Sequence, residues 1–305
     1  GDPREAGRAQ AVLARWAGAD SPPVAVRVLR AAVAQHLHAF DDALGDLGAA
    51  IAAAPDDPQP RWLRAAVLRT LGRLDEAAAD CERVDALVRG ASSSALACIE
   101  DLRAMRGDRE AAIRLDARLA ERPAPAGERA WTDLVRAEIA QREGRDADAE
   151  RGFTRAIASG ASPYARVAFA DWLLERARPG EAYALLRDAP PTDAVLTVRA
   201  IAARRLGDAR AADDVRELRA RFAASRGRAD PDRHLREQAR FALDVDDDAQ
   251  AAVALAVRNW AVQKEPADAV LLVRAARAAA RPRAAEPVRA FVDAYSIADV
   301  RLEQP

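Results

Sequence analysis

The 305-residue chain offers few side chains able to hold a metal, attack a substrate or change redox state: three His, two Cys, a run of three Ser and one dense group of Asp. His36 and His38 stand two apart on an expected helix, a spacing that turns them to different faces and denies a metal ion a shared pair of imidazoles. They and His234 read as surface or groove-lining residues. Asp244, Asp246, Asp247 and Asp248 have the density of a calcium loop. Its sixth and twelfth positions, however, fall on Ala249 and Leu255, where a turn glycine and a bidentate Glu are required. The group reads instead as a solvated turn whose carboxylates favour the start of the next helix. Ser92, Ser93 and Ser94 have no base placed beside them and read as a helix cap. No H-E-x-x-H, P-loop, G-x-S-x-G or G-x-G-x-x-G pattern occurs. The residues nominate no catalytic group, no metal site and no cofactor, so the expected class is non-enzymatic.

Cys81 and Cys98 admit two readings: a pair of small buried residues in a reducing compartment, or a disulfide bracing neighbouring structural units in an exported protein. A cytoplasmic and a periplasmic or exported location both stay open, and the second is favoured if the bridge forms.

The elements that must position these residues are helical. Ala supplies 79 residues and Arg all but one of the 47 basic ones, while aromatic residues make up 5%, a mixture that favours helix. The net charge of −1 provides no basic field to gather phosphates, which argues against a general nucleic-acid binder. No apolar run approaches the roughly 18 residues of a membrane span. The chain opens at Gly1 and its single Met is Met105, so an upstream segment is expected.

The chain repeats itself. GDPREA, GRLDEA, GDREAA, GRDADA and GDARAA begin at Gly1, Gly72, Gly107, Gly144 and Gly207, each with Arg or Asp after the Gly and Ala five residues beyond it. Ala65, Ala137 and Ala200 stand seven residues before three of these glycines, and the same twelve-residue Ala spacing recurs at Ala31 and Ala43, Ala170 and Ala182, and Ala242 and Ala254. Glu100 takes the first Ala position in an irregular third unit. VLRAAVAQHLHAFDDA (28–43) and WLRAAVLRTLGRLDEA (62–77) match in register over eight identities. A period near 34 residues is that of two short helices and their turns. The glycine ends the first helix in a left-handed conformation, and an acidic residue or a Pro such as Pro179 or Pro282 opens the second. Pro55 and Pro266 stop second helices.

These motifs resemble the tetratricopeptide repeat family, in a bacterial-type form. WTDLVRAEIAQREGRDADAERGFTRAI (131–157) is most similar, with Ala137, Gly144, Ala149, Phe153 and Ala156 on the family positions. Departures are His38 and Ala177 in place of Gly, Glu100, and an enlarged unit containing RFAASRGRADPDR (221–233). The resemblance implies an all-α, right-handed superhelical solenoid of antiparallel helix pairs in one array over 1–305. A lone second helix is expected at 3–17, then pairs at 22–54, 58–89, 92–121, 127–159, 162–188, 191–225, 231–264 and 267–295, then a tail at 296–305. Because GDPREA matches a turn and second helix, its first helix is expected upstream of Gly1.

In that family the first helices line a concave face. The resemblance places Trp62, Arg69, Trp131, Glu138, Arg142, Tyr164, Asp171, Glu175, Arg204 and Arg205 there, with Gln35 and Gln141 beside them. It implies a scaffold that holds a protein or peptide segment in this groove. Capture of a terminal carboxylate by Lys and Asn is excluded, since Lys264 and Asn259 are the single residues of their types and both fall on a second helix. No run of large apolar residues forms a lipid channel. An assembly factor working through its convex face or ends, and an accessory domain of a larger protein, are the alternatives. Partner identity and oligomeric state stay open.

Overall fold

The computed structural model describes residues 3–19, 21–121, 123–160, 162–226 and 234–303, and all regular structure among them is helical. The chain divides into two compact units, Gly1–Leu102 and Arg103–Pro305. Residues 227–233, within the enlarged insertion, lie outside the described residues.

The first unit holds α1 (Pro3–Leu13), a 3-10 turn at Ala14–Trp16, α2 (Val24–His36), α3 (Phe40–Ala53), α4 (Pro58–Thr70), α5 (Leu74–Leu87) and most of α6 (Ser93–Met105). The second unit continues with α7 (Ala111–Glu121), α8 (Ala126–Arg142), α9 (Asp146–Ala158), α10 (Pro163–Glu175), α11 (Pro179–Leu186), α12 (Asp193–Arg205), α13 (Ala211–Arg226), α14 (Leu235–Asp244), α15 (Ala249–Val262) and α16 (Pro266–Ala278). A 3-10 turn at Pro282–Ala285, α17 (Glu286–Tyr295) and the single turn α18 (Val300–Glu303) complete it. Pro282 therefore opens a 3-10 turn, and the α-helix begins four residues later. Pro266 not only follows the end of α15 but occupies the first turn of α16, where its missing N–H is no loss.

Each first helix ends on a residue in the left-handed region: Gly72, Gly107, Gly144 and Gly207 where glycine is available, and His38, Ala177, Asp247 and Ala280 where it is not. His38 thus sits in a turn and not on a helix, stacked on Phe40 at 5.6 Å, whereas His36 ends α2. The residue after the glycine sets the start of the second helix. After Gly72 and Gly144 comes Arg, and α5 and α9 begin two residues past the glycine. After Gly107 and Gly207 comes Asp, whose carboxylate accepts the backbone N–H two residues on at 3.0 Å for Asp108 and 2.9 Å for Asp208, and α7 and α13 begin four residues past it. A side chain that satisfies turn amides competes with helix at that point.

Small residues fill the helix crossings. Ala31, Ala43, Ala65, Ala77, Ala137, Ala149, Ala170, Ala182 and Ala200 are all buried. The expected partners Ala212 and Ala254 are exposed. In the sixth pair the delayed start shifts the buried face of α13 by one residue, to Asp214, Leu218 and Phe222. In the seventh, the left-handed residue is Asp247, which puts Arg240 at the first small position and the buried Ala252 twelve residues on. In the third pair Glu100 is itself buried and Ala111 packs where Ala112 was expected.

Three pairs are also closed by an Arg–Asp clamp from first helix to second: Arg30 to Asp46 at 2.9 Å, Arg64 to Asp80 at 2.6 Å, and Arg199 to Asp214 at 2.7 Å. The last is one residue shorter in sequence span, as the shifted α13 requires.

Candidate functional site

The acidic cluster is spent on structure. Asp248 accepts the N–H of Ala251 at 2.9 Å and caps α15. Asp244 pairs with Arg274 at 2.6 Å, Asp246 with Arg219 at 2.7 Å, and Asp247 with Arg204. Among the described residues no group of three or more His, Cys, Asp or Glu is placed to hold a metal ion. His234 lies with its Nδ1 3.7 Å from the Asp193 carboxylate. Ser92 accepts the N–H of Ala95 at 3.2 Å, the geometry of a cap on α6. Among the described residues no helix is long and apolar enough to cross a membrane.

In the first unit, Trp62 is half-buried on α4 and Arg69 donates its Nε to Asp101 at 3.1 Å. Cys81 and Cys98 stand sulfur to sulfur at 2.01 Å, with Cα atoms 6.1 Å apart. That Cα separation lies inside the range a disulfide spans.

The other eight residues expected to line the groove lie in the second unit, on α8, α10 and α12. Their contacts identify one continuous face. Tyr164 on α10 donates its hydroxyl to Glu138 on α8 at 2.8 Å, and Gln141 on α8 donates its amide to Glu175 on α10 at 3.0 Å. Arg205 on α12 reaches back to the Leu174 carbonyl at 2.8 Å. Arg240 on α14 donates to Asp171 on α10 at 2.8 Å, spanning two helix pairs. Arg240 thus ties a first helix to another first helix two pairs earlier. The expected small position of the α14–α15 pair is Ala242; with Asp247 as the left-handed residue the slot falls on Arg240 instead.

Electrostatics along the face are uneven. Burial raises the Asp171 carboxyl above the ordinary carboxylate range, opposed by the charge and hydrogen bond of Arg240 and assisted by the nearby Glu175 and Asp244. Its Oδ1 is buried without a hydrogen-bond donor among the described residues. Gln141 and Arg142 are buried at the end of α8. At the opposite end of the first helices, Trp131 and Tyr164 are 40% and 49% exposed, large values for aromatic rings.

The segment after α17, read from sequence as a tail, lies on the same face. Arg301 directs Nη1 to Glu175 Oε1 at 3.4 Å, and the N–H of Ala298 donates to the carbonyl of Met105 at 2.9 Å. The face is thus partly covered by the chain itself, at the ends of the first helices remote from Trp131 and Tyr164.

No protein-family model and no curated protein matches the chain. Among solved structures it is similar to a tetratricopeptide repeat protein from Parabacteroides merdae, at 17% identity over 70% of this chain and 84% of that one, with a TM-score of 0.47. It is also similar to the TPR domain of P58(IPK), at 17% identity over 99% of this chain and 95% of that one, with a TM-score of 0.27. On the paired helices, the left-handed turn residues and the buried small residues at their crossings, the fold of this chain is a tetratricopeptide-like helical repeat.

Proposed function

We propose that the chain is a non-enzymatic interaction scaffold that takes an extended peptide or protein segment along the first-helix face of its second unit. The observation that carries this reading is the solvent exposure of Trp131 and Tyr164 beside charged groups already held in place by their neighbours. Glu138 is fixed by Tyr164, Glu175 by Gln141 and Asp171 by Arg240. Rings of this kind supply apolar anchor area, and fixed charges orient a ligand without a further ordering cost. The placement of Cys81 and Cys98 with Cα atoms 6.1 Å apart is compatible with a bridge and so with an oxidising compartment for this activity.

Panning a random peptide display library against the purified chain tests the reading. The expected outcome is an enriched motif whose affinity falls about thirtyfold, or ~2 kcal/mol, for Trp131→Ala or Tyr164→Ala, with helicity unchanged by circular dichroism. No enrichment, or enrichment indifferent to both substitutions, removes the proposal.

A further inference from the structure

Residues 296–303 follow an unusual course. Ser296 turns the chain in the left-handed region at φ 53°, and Ile297 donates its N–H back to the Val292 carbonyl at 3.0 Å, ending α17. The chain then runs between the last helices, against which α18 packs on α16, and residues of the third, fourth and fifth pairs. The Ala298 N–H satisfies the Met105 carbonyl, one of the acceptors left over at the end of α6. The segment passes directly over two turn glycines. A Cβ on Gly107 would stand 3.6 Å from the Ser296 carbonyl oxygen, and one on Gly144 would stand 3.4 Å from Val300. Leu302 packs on the cluster around Trp260 and Phe291.

Two charges in this segment are nearly enclosed. The Asp299 side chain is 1% exposed and that of Arg301 is 11% exposed. Asp299 Oδ1 accepts from the Arg301 backbone N–H at 3.0 Å and from its Nε at 2.9 Å, while Oδ2 accepts from Nη2 at 2.6 Å. The pair carries most of its own neutralisation with it. The groove contributes Glu175, which Gln141 holds at 3.0 Å and Arg176 neighbours at 3.7 Å, so this acceptor is supported by contacts other than Arg301. Among the described residues, the polar contacts that tie Ala298–Arg301 to the third and fifth pairs are one backbone hydrogen bond and one ion pair.

We infer that residues 296–303 occupy the groove as an internal ligand, and that the external partner is a peptide segment of the same pattern: a small or apolar residue, Asp, an apolar residue, Arg, then Leu. Such a partner binds by displacing the internal copy. This rests on the groove reading above and deepens it. On this face the internal segment meets Met105, Gly107, Gly144 and Glu175, and it leaves Trp131 and Tyr164 exposed for the remainder of a longer partner. A tethered competitor lowers the apparent affinity of the groove by the fraction of molecules in which it is seated.

The test uses a fluorescein-labelled synthetic peptide of residues 295–303 and two forms of the 305-residue chain, unaltered and Arg301→Glu, in which the internal copy is repelled by Glu175. The peptide is expected to bind Arg301→Glu at least about tenfold more tightly than the unaltered chain. Adding Glu175→Arg to that variant should abolish the gain, since Arg in the peptide then meets Arg in the groove. Equal binding to the two proteins, or none to a helical Arg301→Glu, overturns the inference. If Arg301→Glu loses helicity, Val300→Asp unseats the segment at Gly144 instead, and loss of helicity there as well shows that the segment is a structural strap, which also overturns it. Display peptides that depend on Trp131, together with failure of the 295–303 peptide, would retain the groove and discard the internal ligand. Failure of both would discard both.

Discussion

Helices α5 and α9 are the second helices of their pairs, and two consecutive residues in each do opposite chemistry at equivalent positions. Three and four residues beyond the buried Ala77, α5 carries Asp80 and Cys81; three and four beyond the buried Ala149, α9 carries Gly152 and Phe153. Asp80 ties α5 back to α4 through Arg64 at 2.6 Å and Arg61 at 3.2 Å. Gly152 ties α9 back to α8 by having no side chain, because a Cβ there would lie 2.8 Å from that of Ala137. Toward the following pair, Cys81 meets Cys98, while Phe153 stacks on Phe169 at 5.2 Å and lies 6.3 Å from Trp172 on α10. One repeat slot is closed by ions and sulfur, the other by proximity and aromatic packing. The repeat therefore specifies where helices meet and leaves open which force holds them.

The largest expected break is on the aromatic side. Phe153 is fully buried, so Phe153→Ala removes its packing and leaves a cavity, with an expected cost of about 4 kcal/mol. Denaturant unfolding followed by hydrogen exchange on α9 and α10 peptides checks this, and little change would mean that the rings are not what joins the pairs. The sulfur side comes next. Cys81→Ser releases a link spanning 17 residues, for which the expected loss is about 3 kcal/mol, confined to exchange in α5 and α6 and reproduced by reductant. Third is Gly152→Ala. The new methyl meets Ala137 backbone at 3.0 Å, which no rotamer relieves, and about 2 kcal/mol should be lost in the second unit alone.

The sequence exposed the part of this comparison that is local. Gly72, Gly144 and the Ala pairs twelve apart are fixed-spacing features, and they located the turns and the small residues of the regular pairs. What they did not expose is any residue whose role depends on an unrelated part of the chain. The one-residue shift of α13 comes from Asp208 bonding its own turn, a local effect visible only once Gly-Arg and Gly-Asp turns are told apart. Arg240 was misframed because the long insertion before it hides the register, and Asp247 restores it. Residues 296–303 match no repeat, so nothing in their spacing announced that Arg301 would meet Glu175, 126 positions earlier. The repeat placed Trp131 and Tyr164 on first helices, but their turning to a groove came from the resemblance alone, and their exposure is a property of packing that composition does not encode.

The smallest expected effect concerns acid, and it sharpens the same contrast at the first turns of α5 and α9. Glu76 is held below its ordinary range by its hydrogen bonds to Arg73, a residue of its own turn; Asp146 is held below its range by Arg176, which belongs to the next pair and donates Nε at 2.8 Å. Both shifts are downward, so each carboxylate contributes stability that is present above its ordinary pKa and lost as the pH falls through its lowered folded value. Both lie near the surface, where solvent screening keeps the contribution small. The difference is in reach. As the pH falls below the ordinary carboxylate range, protonating Glu76 should loosen only the α4–α5 turn, whereas protonating Asp146 should also free the end of α10 at Arg176, beside Glu175. Carbon-detected NMR titration of the two carboxyls gives the direct measurement. Arg73→Gln should return Glu76 to its ordinary value with exchange altered in its own turn, and Arg176→Gln should return Asp146 with exchange altered in α10 as well. Altered exchange confined to α9 in the second variant would show that the ion pair does not couple α9 to α10, leaving the packing of Phe153 on Phe169 to do so.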